Sequence, residues 1–487
     1  MDELYISVKG GGGICVPAGS VSAYVLLEQE DWFEKEISFV RRMLRPGMRA
    51  VDIGANYGTY TLAMAQAVGR EGKIWAYEPA SGTARYLRAT LARNGLANVE
   101  PIQAAVSNRT GTGRLRLEEQ VELNRLAEDG KGEDVSLTTL DAECGRHAFE
   151  SIDFVKIDAE GGELDIVRGG ETFFAEQSPL VMFERSGPDG ENATLQSAFR
   201  ERGYTLFKLI GPDTCLIPVG PEPFDGYELN LFACKPERAE VLSAAGLLTT
   251  ACTVPSPPLP CAWLDVWRGE CFAPSFAHAE VVTTPGYDQT LGAYAIWRDL
   301  DRALAERCGA LLAASEALRQ VTADSRNLAV LSTGARVAHE AGGRTLARDC
   351  LNRMLDLMKN GRPQLREPFW PACARFDAIR PGVDRDVWFL AATFEAYEER
   401  RAFSSQFAEP DTLAGLDWLA STPYASPAME RRRQLMAIRT GRQRERQASP
   451  LLSKASAGHL NPQLWGGHAH TASAGGGEGG IRTLDTP

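Results

Sequence analysis

The chain has 487 residues, enough for about three domains at roughly 150 residues each. Hydrophobic residues make up 44% and charged residues 24%, which is ordinary globular usage and excludes a chain that is disordered or fibrous throughout. The net charge of −12 opposes binding to nucleic acid and to anionic lipid. The ten cysteines include no C-x-x-C pair and the six histidines form no cluster with ligand spacing, so no Cys/His zinc site is predicted.

The N-terminal sequence has neither the basic segment nor the apolar core of a secretory signal, so a cytoplasmic location is expected. Residues 241–264 lack charge over a length that could span a membrane, but they contain four prolines. Proline removes hydrogen bonds that a bilayer helix needs. We therefore interpret this stretch as a helix end followed by a linker and expect no integral membrane segment.

The first half of the chain has the pattern of parallel strands joined by helices. Trp32–Leu44 carries apolar residues at helical spacing, which predicts one amphipathic helix ended by Pro46 and Gly47. From about Arg49 to Cys234, short apolar runs alternate with amphipathic stretches. The strands predicted are Ala50–Ile53, Lys73–Tyr77, Val99–Ala105, Phe154–Ile157, Leu180–Phe183, Thr205–Leu209 and Glu228–Cys234. The helices predicted between them are Thr59–Val68, Thr83–Asn94, Glu163–Arg168 and Ala193–Arg202, with a small hairpin from Arg114–Leu117 and Val135–Thr138. This predicts an α/β fold with a doubly wound, Rossmann-like sheet of seven strands.

The second half is predicted to be mainly α-helical, because the alternation stops after the proline-rich stretch. Leu328–Ala341 and Arg344–Met358 form a predicted helical hairpin, and Val387–Phe403 a further long helix. After Ala448 the sequence is rich in Gly, Ser, His and Ala, and a disordered tail is expected. The predicted organisation is an α/β domain over residues 1–238, a linker over 239–262, a helical accessory domain over 263–447 and the tail over 448–487.

A basic stretch over residues 429–454 has a local charge of +6. It lacks the interleaved aromatic residues that stack on nucleic-acid bases. We therefore interpret it as a solvated helix end that runs into the tail, and not as a nucleic-acid site.

The first candidate site motif is AVDIGANYGTYT at residues 50–61, an apolar strand followed by a glycine-punctuated turn and a helix. Such a turn lets a ligand lie against bare backbone, although a tight turn needs glycine even without a ligand. Asn56 stands where a dinucleotide fingerprint has its second glycine, so a ligand without phosphates is favoured. Asp52 ends a strand expected to be buried on both faces, and we expect its carboxylate to meet a cationic or donor-rich ligand.

The second motif places a carboxylate at the end of the next strand. Glu78 lies twenty residues after Gly58 and can accept hydrogen bonds from both hydroxyls of a ribose. The alternative is an exposed glutamate that caps the helix from Ser81. Two carboxylates beside a turn unsuited to pyrophosphate suit S-adenosylmethionine, which has a positive sulfonium, a positive amino group and an unphosphorylated ribose.

The third motif is IDFVKIDAEGGE at residues 152–163, with four ionisable groups within eight positions. Lys156 and Asp158 are two residues apart and therefore point to the same face of a strand. Because open α/β sheets bind ligands at the carboxyl ends of their strands, the cluster is a candidate site. The alternative is a structural ion pair followed by a capped turn into the helix from Glu163.

These segments together resemble the FkbM family of methyltransferases. The resemblance covers about residues 23–236 and is carried by VDIGANYGTYT, YEP, VSLTTLD, DFVKIDAEGGELDIVRGG, VMFE and LNLFACKP. It implies a class I methyltransferase fold, S-adenosylmethionine as cofactor and, usually, O-methylation of a hydroxyl on a sugar or natural product. The expected partner is therefore a small-molecule or glycan acceptor. The helical half shows no such resemblance.

The resemblance also implies roles for individual residues. Those expected to bind the donor are Asp52, Gly54, Asn56 and Gly58 at its methionine end and Glu78 at its ribose. Those expected on the acceptor side are Lys156, Asp158, Glu160 and Glu163. The residue beside the adenine is not identified, because the end of the third strand, residues 103–106, lacks an acidic side chain.

Methyl transfer from a sulfonium depends mainly on positioning the acceptor oxygen about 3 Å from the methyl carbon, in line with sulfur. Asp158 is the candidate base for the hydroxyl proton and Glu160 the alternative, with Lys156 as their basic neighbour. A divalent ion in this acidic set stays open, and no metal ligand is assigned. Two other functions are considered: a nicotinamide dehydrogenase, which Asn56 and Asp52 disfavour, and a catalytically inert scaffold whose helical half binds a protein partner.

Overall fold

The computed structural model describes residues 3–118, 124–126, 132–147, 149–185, 189–211, 215–221, 224–225, 227–254, 263–359, 361–443, 449 and 451–452. Residues 255–262 of the predicted linker lie outside this range. The predicted disordered tail also lies outside it, apart from residues 449, 451 and 452.

The described residues form the following elements. The strands are β1 (Glu3–Ser7), β2 (Gly13–Pro17), β3 (Arg49–Ile53), β4 (Lys73–Tyr77), β5 (Val99–Ile102), β6 (Ala105–Val106), β7 (Gly111–Arg116), β8 (Arg125–Leu126), β9 (Glu133–Thr138), β10 (Phe154–Ile157), β11 (Leu180–Glu184), β12 (Thr205–Ile210), β13 (Cys215–Pro218) and β14 (Asn230–Cys234). The helices of the first half are α1 (Val21–Gln29), α2 (Glu36–Met43), α3 (Thr59–Val68), α4 (Ser81–Asn94), α5 (Leu140–His147), α6 (Glu163–Arg168), α7 (Glu171–Glu176), α8 (Asp189–Glu201) and α9 (Pro236–Ala244). Those of the second half are α10 (Trp263–Gly269), α11 (Tyr287–Arg298), α12 (Leu304–Thr322), α13 (Leu328–Glu340), α14 (Arg344–Lys359), α15 (Arg385–Arg401), α16 (Leu413–Ala420) and α17 (Pro427–Arg439).

The largest sheet among the described residues has eight strands in the order β13-β12-β14-β11-β10-β3-β4-β5. The five strands from β11 to β5 are parallel, whereas β14 runs antiparallel to both β11 and β12. The chain winds outward in opposite directions from β3 and β10, so a crevice forms where these two neighbours end. This is the doubly wound fold expected from the sequence, with one additional edge strand, β13, paired to β12.

Helices cover both faces of this sheet because apolar side chains alternate along its buried strands. Ala50 of β3 faces a core that includes Phe39, Met64 and Leu87 from α2, α3 and α4. Val51, the next residue, faces a second core built with helices α5 to α8. The two layers fix the ends of the central strands, and with them the crevice.

Several element boundaries differ from the sequence prediction, and two of the differences change how segments pack near the site. The third strand ends at Ile102, and Ala105–Val106 instead pairs with β9 in a separate four-stranded sheet that also contains the predicted hairpin as β7 and β9. The helix predicted over Trp32–Leu44 begins only at Glu36. The Asp31 carboxylate accepts a hydrogen bond from the backbone N–H of Trp32 and pairs with Arg41 at 2.6 Å, which holds residues 31–35 outside the helix.

The second half is mainly helical, as predicted, and it shares a core with the sheet. This core contains Trp267, Trp370 and Trp388 and continues to Ile210 and Cys215 of the sheet edge. The backbone N–H of Gly211 also donates to the carbonyl of Glu340 at 2.6 Å. None of the described helices is long and apolar enough to cross a membrane.

The basic stretch at residues 429–454 is not simply a solvated helix end, so that prediction was wrong for part of α17. Arg432 is 3% exposed and Arg431 is also buried. Arg432 lies 2.9 Å from a Glu28 oxygen of α1 and 3.7 Å from a Glu398 oxygen of α15. These buried carboxylates compensate the charge, and α17 therefore packs onto the N-terminal segment.

Candidate functional site

The site is built where four parallel strands end together. Ile53 of β3 is in register with Tyr77 of β4 and with Ile157 of β10, and Ile157 is in register with Phe183 of β11. The residues that follow at this edge are Gly54, Glu78, Asp158 and Glu184. Three of them come from the three separate sequence motifs, so the fold brings those motifs together.

Glycine is required at position 54, where the β3 turn crosses the end of β10. Gly54 has φ of 77°, and a Cβ atom there would lie 1.8 Å from the carbonyl oxygen of Asp158. Gly58 also has a positive φ, 93°, at the start of α3. Asn56, between them, adopts φ of 50°, a conformation that Asn tolerates better than most residues. The turn therefore presents bare backbone to the crevice.

Glu78 is buried and bound to the turn. Its two carboxylate oxygens accept hydrogen bonds from the backbone N–H groups of Asn56 at 3.0 Å and Ala80 at 2.9 Å. The side chain is therefore not the exposed helix cap considered above, although it does bind backbone just before α4. Burial raises the pKa of Glu78 to about 7, against the opposing effect of the two N–H donors.

Asp52 is fully buried, and it has partners within the protein in addition to the ligand expected from the sequence. One oxygen accepts a hydrogen bond from the Thr61 hydroxyl at 2.5 Å. The other, Oδ1, lies 3.8 Å from the Lys156 ammonium but accepts no hydrogen bond within the described residues. Burial raises the pKa of Asp52, and Lys156 acts against this rise.

Lys156 and Asp158 lie on the same face, as their spacing predicts. The Lys156 ammonium is 2.8 Å from Asp158 Oδ2 and donates to the Gly54 carbonyl at 3.3 Å. Burial disfavours the charged lysine, but Asp158 and Asp52 outweigh it and raise the pKa of Lys156 above its usual value. Asp158 is the more exposed partner, with 36% of its side chain accessible. A cation fixed in the protein thus holds a carboxylate at the crevice.

The other acidic residues of the third motif have different surroundings. The Glu163 carboxylate accepts hydrogen bonds from the backbone N–H groups of Ala159 and Gly161, so it stabilises the turn before α6. Glu160 has φ of 49° and comes close to Asp158 and Glu184: one oxygen of each lies within 4.8 Å of the others. Oxygen ligands of this kind suit Mg²⁺ or Ca²⁺.

Sequence reasoning missed three residues at this edge. Glu184 ends β11, and the register of that strand was the signal that could have found it. Tyr60 lies in α3 with its ring 5.3 Å from the Lys156 ammonium. Its hydroxyl donates to Glu34 at 2.6 Å. Nothing in the local sequence of Glu34 indicates this position, because it depends on how residues 31–35 cross the sheet edge.

The residues at this edge fit S-adenosylmethionine. Asn56 Oδ1, like Asp52 Oδ1, is a buried acceptor without a hydrogen-bond partner in the described part of the chain. Unpaired buried acceptors favour a ligand with N–H or O–H donors. The nucleoside and amino-acid parts of this compound carry both, and the glycines at positions 54 and 58 leave room beside the backbone. The fold is a doubly wound α/β sheet, and the edge at its strand ends suits a nucleoside ligand.

Part of the chain is similar to known methyltransferases. Residues 52–206 match the model of the Methyltransferase FkbM domain. Methyltransferase sdnD from Sordaria araneosa is 26% identical over 190 residues, which cover 32% of this chain and 73% of that protein. The part of the chain that resembles this family, residues 52–206, contains the β3 turn, Glu78 and the Lys156–Asp158 pair.

Two of the solved structures that resemble part of the chain are the following. Aeropyrum pernix fibrillarin, solved with bound S-adenosyl-L-methionine, matches with a TM-score of 0.27 and 15% identity, covering 47% of this chain and 82% of that chain. Precorrin-6y C5,15-methyltransferase from Geobacter metallireducens matches with a TM-score of 0.26 and 13% identity, covering 41% and 88%.

Proposed function

We propose that the chain transfers the methyl group of S-adenosylmethionine to a hydroxyl oxygen of a small molecule or glycan. The observation that carries this proposal is the crossing of the β3 turn over the end of β10, so close that a Cβ atom at position 54 would collide with the Asp158 carbonyl. This contact makes the donor-binding turn and the Lys156–Asp158 pair neighbours. Donor and acceptor therefore meet at one edge.

On the donor side, Glu78 is proposed to bind the ribose. Both of its oxygens already accept backbone N–H groups, and a carboxylate has further lone pairs for two hydroxyl donors. Asn56 Oδ1 is proposed to accept from the amino group of the donor, and the backbone of Gly54 and Gly58 to leave space for its methionine end. Asp52, buried in β3 just before the turn, is proposed to act through its negative charge. This charge favours binding of the positive donor without direct contact.

On the acceptor side, Asp158 is proposed to accept the hydrogen bond of the hydroxyl that becomes methylated. The bound donor supplies a methyl group already activated by its positive sulfur. As the new C–O bond forms and the C–S bond breaks, the hydroxyl becomes acidic and its proton passes to the Asp158 carboxylate. Lys156 holds this carboxylate in place through the 2.8 Å contact. Glu160 is the alternative proton acceptor.

The helical half is proposed to be an accessory domain over residues 263–447 attached to an α/β domain over residues 1–238. Its shared core with β12 and β13 supports a fixed attachment. A protein partner for this half remains part of the proposal.

The experiment is methyl transfer from labelled S-adenosylmethionine by the full-length protein to fractionated glycans, lipids and small molecules. We expect label in a glycan or small-molecule fraction, in a form stable to mild alkali because a methyl ether resists hydrolysis. Asp165→Asn, which alters an exposed carboxylate of α6, is the matched control for the Asp158→Asn variant described in the Discussion. Label confined to protein or nucleic acid would contradict the proposal, and bound donor without any transfer would indicate the inert scaffold.

A further inference from the structure

Glu34 reaches the acceptor side from outside the matched methyltransferase domain. It lies between α1 and α2, and its Oε2 atom accepts a hydrogen bond of 2.6 Å from the Tyr60 hydroxyl. The Tyr60 ring lies 5.3 Å from the ammonium of Lys156, which in turn pairs with Asp158. Three contacts in series therefore connect Glu34 to Asp158, the residue proposed to receive the hydroxyl proton.

The segment that carries Glu34 is fixed by both halves of the chain. The ring of Phe33 packs against that of Phe403, beyond α15, with centroids 4.8 Å apart. The Lys35 ammonium donates to the Leu209 carbonyl of β12 at 2.8 Å. Since both neighbours of Glu34 are anchored, its carboxylate has a defined position at the sheet edge.

The Glu34 carboxylate keeps acceptor capacity for a ligand. Tyr60 is its only hydrogen-bond donor within the described residues, and the side chain is half-buried. Burial raises the pKa of Glu34 to about 7, with Glu36 adding to the rise, so at pH 8 the group is mostly ionised. A half-buried carboxylate with spare lone pairs favours a ligand that carries donors.

The charge at this edge is mainly negative. Burial, and after it Asp158, Glu160, Glu163 and Glu34, raise the pKa of Glu184 well above its usual value, so the negative charge at this edge comes from these neighbours. Lys156, a buried cation that faces them, is shared between Asp158 and Asp52. An acceptor with a carboxylate or phosphate close to its reacting hydroxyl would therefore meet like charge in a partly desolvated place.

We propose that Glu34 is a specificity-determining residue of the acceptor site, whose carboxylate binds a hydroxyl or ammonium group of the acceptor and repels anionic acceptors. This inference rests on the proposed function, because it takes the edge beside Lys156 and Asp158 as the acceptor site. It also gives the helical half a role, since Phe403 anchors the segment.

Three variants of the full-length chain test the inference. Glu34→Gln keeps the size of the side chain and removes its charge. Tyr60→Phe keeps the ring beside Lys156 and removes the hydroxyl that holds Glu34. Glu71→Gln changes an exposed carboxylate in the turn after α3, away from the edge, and is the matched control.

The assay uses labelled S-adenosylmethionine and extracts of the source cells separated on an anion exchanger. The label incorporated into the unretained fraction, which holds neutral and cationic compounds, is compared with the label in the retained, anionic fraction. We expect the wild-type protein to label the unretained fraction. In Glu34→Gln, the apparent KM for that fraction should rise about tenfold, the scale of one hydrogen bond to a charged group, with kcat within about twofold. Tyr60→Phe should show a smaller rise, and Glu71→Gln none.

Calorimetry with S-adenosylhomocysteine separates the possible failures. Equal heats in wild type and Glu34→Gln would show an intact donor site. With donor binding intact, label mainly in the retained fraction, or an unchanged apparent KM in Glu34→Gln, would overturn the role of Glu34. Wild-type protein that binds the donor product but labels neither fraction would overturn the acceptor site and this inference with it. Wild-type protein that does not bind the product would overturn the proposed function itself.

Discussion

Lys156 and Asp52 face each other across neighbouring strands, with the ammonium 3.8 Å from a carboxylate oxygen that accepts no hydrogen bond in the described chain. The same ammonium is 2.8 Å from Asp158. One buried cation therefore serves a carboxylate beneath the donor turn and another at the acceptor side. Donor binding and acceptor binding, both proposed for this edge, therefore depend on the same buried ammonium group. We expect replacement of Lys156 to affect both.

Replacing Lys156 by Met should destabilise the fold. The substitution leaves Asp52, which is 0% exposed, without a nearby cation. Removing one partner of a buried ion pair costs about 3–5 kcal/mol in the free energy of unfolding. Urea denaturation measures this loss. The control, Lys73→Met, breaks an exposed pair with Glu100 and should cost about 1 kcal/mol or less. Equal losses in the two variants would contradict the central role of Lys156.

Alanine at position 54 should abolish donor binding, whereas alanine at position 82 should not. The Cβ atom of Gly54→Ala would lie 1.8 Å from the Asp158 carbonyl and would require an unfavourable positive φ. At Gly82, within α4, a Cβ atom would have no neighbouring atom within 4 Å, and alanine there should add up to about 1 kcal/mol of stability. Calorimetry with S-adenosylhomocysteine compares the two, and retained binding in Gly54→Ala would refute the proposed turn.

Donor binding should tighten as pH rises from 6 to 8. Burial raises the pKa of Glu78 to about 7, and the ionised carboxylate is the better acceptor for ribose hydroxyls. If the ionised form binds, its fraction sets the apparent affinity and the dissociation constant should fall about tenfold over this range. Titrations at several pH values measure the slope, which Glu78→Gln should flatten. An equal slope in that variant would assign the effect to another group.

The same raised pKa predicts how the free energy of unfolding changes with pH. Between about 4.5 and 7 the folded chain binds more protons at Glu78 than the unfolded chain does. The contribution of this residue to the free energy of unfolding therefore falls as pH rises through that range. Denaturant titrations of wild type and Glu78→Gln without donor measure the difference, which should grow toward pH 7.

Asp158→Asn should lower turnover by about 10²- to 10⁴-fold, the usual contribution of a positioned base. Asparagine preserves the shape but cannot take the hydroxyl proton. Binding of S-adenosylhomocysteine should persist, because the donor contacts come from the β3 turn and Glu78. Undiminished turnover would assign the role of base to Glu160. The Glu160→Gln variant should then show the loss of turnover instead.

The sequence was sufficient to predict the elements that depend on local signals. The helix Thr59–Val68 and the strand Phe154–Ile157 have the predicted bounds, because glycine turns and apolar runs delimit them. The side-chain period of two residues also predicted that Lys156 and Asp158 share a face. The register of the parallel strands then brings Gly54, Glu78 and Asp158 to one edge of the sheet. This could be predicted from the sequence, because each residue directly follows a predicted parallel strand.

Contacts between distant segments could not be predicted in this way. The pair of Tyr60 with Glu34 depends on the path of residues 31–35, most of which the apolar spacing had wrongly assigned to a helix. The burial of Arg432 depends on Glu28, 404 residues away in the chain. A local composition rule assigns such an arginine to solvent, and only the packing of α17 on α1 reverses that assignment.

The most direct measurement is a calorimetric titration of the folded full-length protein with S-adenosylhomocysteine, beside Glu78→Gln and the control Glu71→Gln. We expect saturable heat at one site per chain for the wild type and the control, and clearly weaker binding for Glu78→Gln. No heat with the wild type, or equal affinity in all three proteins, would contradict this expectation.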